Sequence, residues 1–329
     1  MTLILYFFLP LVITVLLTAI GTRLLFPQLA KKKLGQKILE IGPRWHKNKE
    51  GTPTMGGIIF PVIALTVGGV MTAVCNAERS DILPLFFLFL YALLNALIGM
   101  ADDLTKFKKH ENEGLTPGQK IILQSAAGAL FLFLMHRYAG LSTFVTVPFT
   151  GISLELGFAY DFIMLFLLLG IVNCVNLSDG IDGLCATVTA VTGFFYAASA
   201  MLLTVNALYI PAFLLSGIGI GFLLYNAHPA RIFMGDTGSL FFGAMIAGSA
   251  FLLGEPLILL PLCIVFEWEG ISDILQVLYY KITKKRLFLM APFHHHLEKR
   301  GYSENRIVIL FLAVAILGAI GAYSLLFAL

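Results

Sequence analysis

Charge is what this chain has least of. Asp, Glu, Lys and Arg make up 12% of its 329 residues, about half of the roughly 25% found in an average globular chain. So little charge excludes a soluble enzyme with one anchor, a nucleic-acid binder and a disordered scaffold. Cysteine is scarce as well. Cys75, Cys174, Cys185 and Cys263 show no paired or metal-ligand spacing, which argues against a disulfide framework or a zinc knuckle; they read as small apolar side chains in or near a membrane. The opening apolar run lacks a basic leader, its first basic residue being Arg23, so it reads as a retained span rather than a signal peptide. Between the apolar runs there is no segment large enough to fold as a soluble domain, and no long repeat or low-complexity tract.

What is abundant is hydrocarbon: 58% of the residues are hydrophobic, and the mean hydropathy is +0.89. A bilayer core takes about 20 apolar residues per helical crossing. Ten apolar stretches can be marked, at 3–26, 56–74, 82–100, 121–135, 160–175, 184–204, 209–224, 240–253, 256–280 and 307–329. They predict an all-α polytopic membrane protein of ten transmembrane helices, one integral-membrane domain over 1–329. One segment departs from helix. In 144–157, Val145, Val147, Ile152, Leu154 and Leu156 alternate around Pro148 and Gly151, a period-two pattern that predicts a small hairpin outside the membrane. The ninth stretch holds Glu267, Glu269 and Asp273; it is expected to break near Glu269-Gly270, its second part leaving the bundle.

The basic residues orient the chain. With Arg23 counted into the first loop, the odd-numbered loops hold 20 of the 22 Lys and Arg, and the even-numbered loops hold only Arg79 and Arg137. Cytoplasmic loops carry the Lys/Arg excess, so the odd loops are expected inside and both termini outside.

The purposeful polar clusters all fall on that cytoplasmic side. Lys49 to Gly57 brings a lysine, hydroxyls and glycines to a helix start, which suits an anion such as phosphate or else forms a turn and cap. Lys31, Lys32, Lys33 and Lys37 upstream suit anionic lipid heads. Asp102-Asp103 closes the third span; paired carboxylates there bind Mg²⁺ or a proton, or form a solvated edge balanced by lysines. Asn173, Asn176, Asp179 and Asp182 recur at steps of three. A continuous helix would turn their ends to opposite faces, so Gly180 and Gly183 are expected to unwind the chain and let several of these oxygens converge. Asp236, between Gly235 and Gly238 with Thr237 and Ser239, suits Mg²⁺ and a diphosphate at a helix start, with an N-cap as the alternative. His294, His295 and His296 would point about 100° apart on a helix, which favours anion contact or proton handling over one metal triad. Arg286 to Met290 reads as an interfacial stretch, and His46, His110 and His136 as ordinary loop residues.

In order and spacing, the run Gly51 to Gly57, Asp102-Asp103, Asn176 to Gly183, Asn226 to Ser239 and Ala291 to Glu298 resembles the MraY family. These are bacterial phospho-MurNAc-pentapeptide translocases within the polyprenyl-phosphate N-acetylhexosamine-1-phosphate transferases. The resemblance implies ten helices, a cytoplasmic active site in the bacterial plasma membrane, and a homodimer. It further implies transfer of phospho-MurNAc-pentapeptide from UDP to undecaprenyl phosphate, with Mg²⁺, giving lipid I and UMP. By the same resemblance Asp236 holds the Mg²⁺, Asp102 and Asp103 are the catalytic pair, and Asn176, Asp179 and Asp182 line the nucleotide pocket. Lys49, Thr54, Lys106, Asn173, Asn226, Phe233, Met234, His294, His295 and His296 complete the substrate surface, Phe233 as a platform for uracil. Two other functions fit parts of the pattern: a sister transferase using UDP-GlcNAc, and a membrane transporter with midplane acids and broken helices.

Overall fold

The computed structural model describes residues 4–31, 49, 51–74, 79–109, 114–147, 150 and 152–327. His46, His110, Lys32, Lys33, Lys37, Cys75, Pro148 and Gly151 lie outside these. The chain is helical almost throughout: α1 (Leu9–Lys31), α2 (Ile59–Ile63) and α3 (Gly69–Val74) joined by a π-helical turn, α4 (Arg79–Lys109) and α5 (Pro117–Ala139). A hairpin of β1 (Phe144–Val147) and β2 (Ile152–Glu155) follows, then α6 (Phe158–Leu177), α7 (Leu184–Leu203), α8 (Tyr209–Asn226) and α9 (Gly235–Leu253). The chain ends in α10 (Leu259–Leu262), α11 (Ile264–Thr283), α12 (Phe293–Lys299) and α13 (Glu304–Leu326).

Among the described residues nine helical spans are long and apolar enough to cross a membrane. Their outer faces confirm the solvent they are built for. On α1, Leu9, Val12, Leu16, Ile20 and Leu24 are all exposed, a stripe that only lipid would cover without penalty. Its other face carries Thr14, Thr18 and Thr22, fully buried. Thr14 and Thr18 meet Gly217 and Gly221 of α8, where an added Cβ would come within 2.6 Å of the Thr14 Cβ and of the Val15 carbonyl. Small residues bring the two backbones together because lipid offers no hydrophobic drive between helices. At the centre stands α9, buried along nearly its whole length against α4 and α6.

Two expectations need correction. The ninth stretch is divided, but at Cys263, between α10 and α11, rather than near Glu269-Gly270. Cys263 itself, at φ −95 and ψ 15, leaves the helical conformation between the two. Gly270 instead lies inside α11, where an added Cβ would strike the Cys174 Sγ of α6 at 2.4 Å; it is a packing glycine. Beyond Asp273 the exposed Ile274, Val277, Leu278 and Ile282 show α11 leaving the bundle as expected. The second correction concerns Asp102-Asp103, expected at a helix end. The apolar run stops at Met100, yet α4 continues to Lys109, supported by the Asp102–Lys106 pair one turn apart at 2.7 Å.

The hairpin is antiparallel, with Phe144 opposite Glu155 and Val147 opposite Ile152. It joins α5 to α6 at the end of the bundle remote from Asp102. At the other end α5 begins with a capping box, Thr116 and Gln119 bonding each other's backbone N–H, and Pro117 in the first turn. This start fixes the next residue, Lys120, facing the Asp102 carboxylate.

Candidate active site

The site is assembled where the last turns of α4 meet the first turn of α9. Asp103 serves as the cap of α9 from another helix: its carboxylate accepts the backbone N–H of Asp236 (3.1 Å) and of Thr237 (3.0 Å) and the Thr237 hydroxyl (2.7 Å). These are donors that the helix itself leaves unsatisfied, and the negative charge favours the helix N-terminus. Because Asp103 does the capping, Asp236 does not, and its side chain turns outward. Its Oδ1 accepts from Asn176 Nδ2 at 3.1 Å, and Asn176 also donates to Ser239 Oγ at 2.8 Å. Its Oδ2 faces the ammonium groups of Lys106 (3.2 Å) and Lys120 (2.5 Å). Asp102, buried, pairs with the same two lysines at 2.7 and 3.3 Å and accepts the Leu115 N–H at 2.8 Å.

One carboxylate oxygen from each of Asp102, Asp103 and Asp236 lies within 4.8 Å of the others. Three hard oxygen donors at this spacing fit Mg²⁺, and the two ammonium groups already stand where cationic charge is called for. Lys120 was not singled out from the sequence; the capping box just before it was the only signal. Close backbone contact makes the junction rigid. A Cβ on Gly99 would lie 2.2 Å from the Asp236 carbonyl oxygen, and one on Gly57 would lie 2.3 Å from the Gly238 Cα.

The glycine run was open to two readings, an anion cradle or a turn and helix cap, and the structure favours the second. The Gly56 and Gly57 N–H groups donate to the Phe233 and Met234 carbonyls at 2.8 and 2.9 Å, and Phe233 N–H donates to the Pro53 carbonyl at 2.8 Å. The run is stitched to the 227–234 loop, so its donors hold the protein together. Gly57→Ala is therefore expected to destabilise the fold by about 1–3 kcal/mol through overpacking. A thermal melt in detergent checks this, and an unchanged midpoint would contradict it.

Between α6 and α7 the chain unwinds as expected, with Gly183 at φ +77. The side chains at steps of three do not all converge. Asn176 reaches Asp236, whereas Asn173 donates to Gln124 Oε1 and to the Leu169 carbonyl, both at 2.8 Å. Among the described residues none bonds the Asp179 carboxylate. Burial, then the charges of Asp236, Asp103 and Asp182, push that carboxyl well above the ordinary range, against the opposing Lys49. Asp182 is buried and accepts from Lys49 Nζ (2.7 Å), His228 Nδ1 (2.9 Å) and Ala230 N–H (3.0 Å). Glu304, from the start of α13, joins the same group with a 2.7 Å contact to Lys49. Asp182, His228 and Glu304 form a second cluster of oxygen and nitrogen donors, but Lys49 already fills the role of its cation.

Asn226 is buried, accepting the Gly183 N–H (3.2 Å) and donating to the Ile232 carbonyl (2.9 Å); it ties two loops together. Met234 is fully buried, and its carbonyl is taken by the Gly57 N–H. Phe233 is partly buried, and the Thr54 hydroxyl faces Gly235, 3.0 Å from where a Cβ would stand.

The three histidines diverge, as helical geometry requires. His294 Nδ1 meets Glu269 Oε2 at 2.8 Å, and its own backbone N–H donates to the same carboxylate. A carboxylate partner places the proton on Nδ1. Among the described residues Nε2 is buried without a hydrogen-bond partner, against Gly180, where an added Cβ would lie 2.3 Å away. His295 Nδ1 faces Glu298 Oε2 at 2.6 Å. His296 Nδ1 accepts the Leu289 N–H at 3.1 Å, and its ring stacks on Phe293. Burial and the nearby Arg300 hold its pKa below the ordinary histidine value, in keeping with a neutral ring that accepts.

The odd-numbered loops thus share one face of the bundle: Lys49, Leu115, Asp182, His228 and His294 all bond or abut the site residues there.

Comparison with known proteins agrees with this arrangement. The glycosyl transferase family 4 profile matches residues 85–254, which contain Asp102, Asp103, Asn176, Asp182 and Asp236. The phospho-N-acetylmuramoyl-pentapeptide-transferase signature 1 matches residues 49–60, the segment stitched to the 227–234 loop. The phospho-N-acetylmuramoyl-pentapeptide-transferase of Carboxydothermus hydrogenoformans is 40% identical over 313 residues, 93% of this chain and 94% of its own. The protein of the same name from Geobacillus thermodenitrificans is 41% identical over 318 residues, covering 94% and 95%. That of Listeria welshimeri is 40% identical over 306 residues, 93% of each chain. With such identity running nearly end to end through every segment that builds the site, the chain belongs to the phospho-N-acetylmuramoyl-pentapeptide-transferase family.

Proposed function

We propose that this chain, working as one integral-membrane domain in the bacterial plasma membrane, transfers phospho-MurNAc-pentapeptide from UDP-MurNAc-pentapeptide to undecaprenyl phosphate. The products are lipid I and UMP. The observation that carries this reading is the junction of Asp102, Asp103 and Asp236 with Lys106 and Lys120, at one end of a lipid-facing bundle. A lipid phosphate oxygen attacks the sugar-linked phosphorus of the donor, a new P–O bond forms, and the bond to UMP breaks. One diphosphate replaces another, so the protein has to position two anions and neutralise their charge.

Asp236 would hold Mg²⁺, with Asp102 beside it, and the ion would screen the diphosphate. Lys106 and Lys120 can turn from the carboxylates to incoming phosphate oxygens. Asn176 orients Asp236, and Asp103 fixes the helix start that carries it. Family resemblance assigns the Asp179 carboxylate and the Phe233 ring to the nucleotide, and His294 Nε2 offers an acceptor beside the 178–183 turn. The Lys/Arg excess of the odd loops supports a cytoplasmic position for this face, and family resemblance supports a homodimer as the working unit. A site gathered at one end of the bundle, rather than along a path across it, weighs against a transporter.

Purified protein with undecaprenyl phosphate and Mg²⁺ is expected to release UMP with UDP-MurNAc-pentapeptide and not with UDP-GlcNAc. Release only with UDP-GlcNAc would overturn the substrate, and transport without a lipid product would overturn the reaction.

A further inference from the structure

The carboxylate of Glu304 joins three parts of the chain that are far apart in sequence. Its Oε2 accepts from Lys49 Nζ at 2.7 Å and from the Asp182 backbone N–H at 2.9 Å, and its Oε1 lies 3.5 Å from His228 Nδ1. Its side chain is only 10% exposed, and those of Lys49 and Asp182 are 16% and 2% exposed. Charge-assisted bonds at this burial are among the stronger ones a protein makes. Lys49 spends two of its N–H donors on Asp182 and Glu304, and an ammonium has three. Among the described residues nothing takes the third, which is left for a ligand with its direction set by the other two.

Asp182 is held equally firmly. Both of its carboxylate oxygens are occupied by protein donors, and its N–H is taken by Glu304. The 178–183 turn, the 227–234 loop and Lys49 are therefore locked to one another, and Glu304 is the member that anchors the group to the last helix.

We propose that Glu304 is a positioning residue for the nucleotide-sugar donor: it aims the Lys49 ammonium and fixes the 178–183 turn without touching substrate. This rests on the transferase reading given above. The Lys106–Lys120 junction does not depend on Glu304 for any contact, so the lipid phosphate should be indifferent to it.

The test is steady-state kinetics of UMP release with Glu304→Ala, Glu304→Gln, Lys49→Ala and the Lys49→Ala/Glu304→Ala double variant, alongside thermal midpoints. E304A is expected to raise KM for UDP-MurNAc-pentapeptide about tenfold or more, as loss of a charge-assisted bond implies, with KM for undecaprenyl phosphate within about twofold. E304Q, which keeps one acceptor oxygen and the same shape, should fall between E304A and wild type, and it serves as the readout where alanine lowers the yield of folded protein. The double variant should be clearly less impaired than the product of the two single changes, because Glu304 acts in part through Lys49. Multiplying effects of the two single changes would overturn the proposal. So would an unaltered donor KM in both Glu304 variants, or equal losses toward both substrates. A folded wild type that releases no UMP would overturn the transferase reading itself, whereas an active wild type with indifferent Glu304 variants would overturn only this proposal.

Discussion

Asp236→Ala is expected to lower UMP release by about 10³-fold or more at saturating Mg²⁺, while its thermal midpoint stays at or near that of wild type. The two halves of this expectation come from different contacts. Asp236 receives Asn176, Lys106 and Lys120 through its side chain but contributes none of the bonds that cap its own helix; those belong to Asp103. Its removal leaves Lys106 and Lys120 still paired with Asp102, so no ammonium is stranded, and one of three crowded carboxylates is gone. Binding of Mn²⁺ as a spectroscopic substitute should be lost in the same variant. Near-normal turnover at saturating Mg²⁺ would sink the metal assignment, and a collapsed midpoint would show that the carboxylate is structural.

Several parts of this arrangement were legible in the sequence because they depend on pattern alone. Each apolar stretch reverses the chain, so the loop parity that gathered Lys and Arg also gathered Asp102, Asp182, Asp236 and the histidines on one face. The hairpin followed from period-two alternation, and the divergence of His294, His295 and His296 from helical rotation. The misreadings share a cause: a residue type with two physical uses. Gly270 was taken for a break and is a packing contact for Cys174, while the break falls at Cys263. Gly56 and Gly57 suited an anion cradle as well as a turn and cap, and the structure takes the turn, their N–H groups being spent on the 227–234 loop. The end of apolarity at Met100 was taken for the end of a helix that runs to Lys109. Lys120 and Glu304 went unmarked because nothing local distinguishes them. Lys120 matters only because α5 starts opposite α4, and Glu304 only because α13 starts beside Lys49; such proximity is written in the packing of the bundle rather than in spacing along the chain.

Asp103→Asn should separate from Asp236→Ala by losing activity and stability together. The carboxylate accepts from two backbone N–H groups and a hydroxyl at once. An amide keeps one accepting oxygen, and its NH₂ must then confront either the Asp236 or the Thr237 N–H, donor against donor. Loss of a charged cap costs about 1–2 kcal/mol, so the midpoint should fall. The start of α9 then shifts, and with it the Asp236 carboxylate that Asn176, Lys106 and Lys120 converge upon; turnover should drop about 10²-fold or more, the scale seen when a preorganised charge-stabilising group is lost. No choice of pH can restore a carboxylate to an amide, so the defect should persist from mildly acidic to alkaline conditions. A variant that regained wild-type turnover at high pH would show that Asp103 neither orients Asp236 nor takes a proton. A variant with an unaltered midpoint but abolished turnover would instead move Asp103 from holding the helix to acting on the lipid phosphate, since a cap that costs nothing to remove is not what fixes the site.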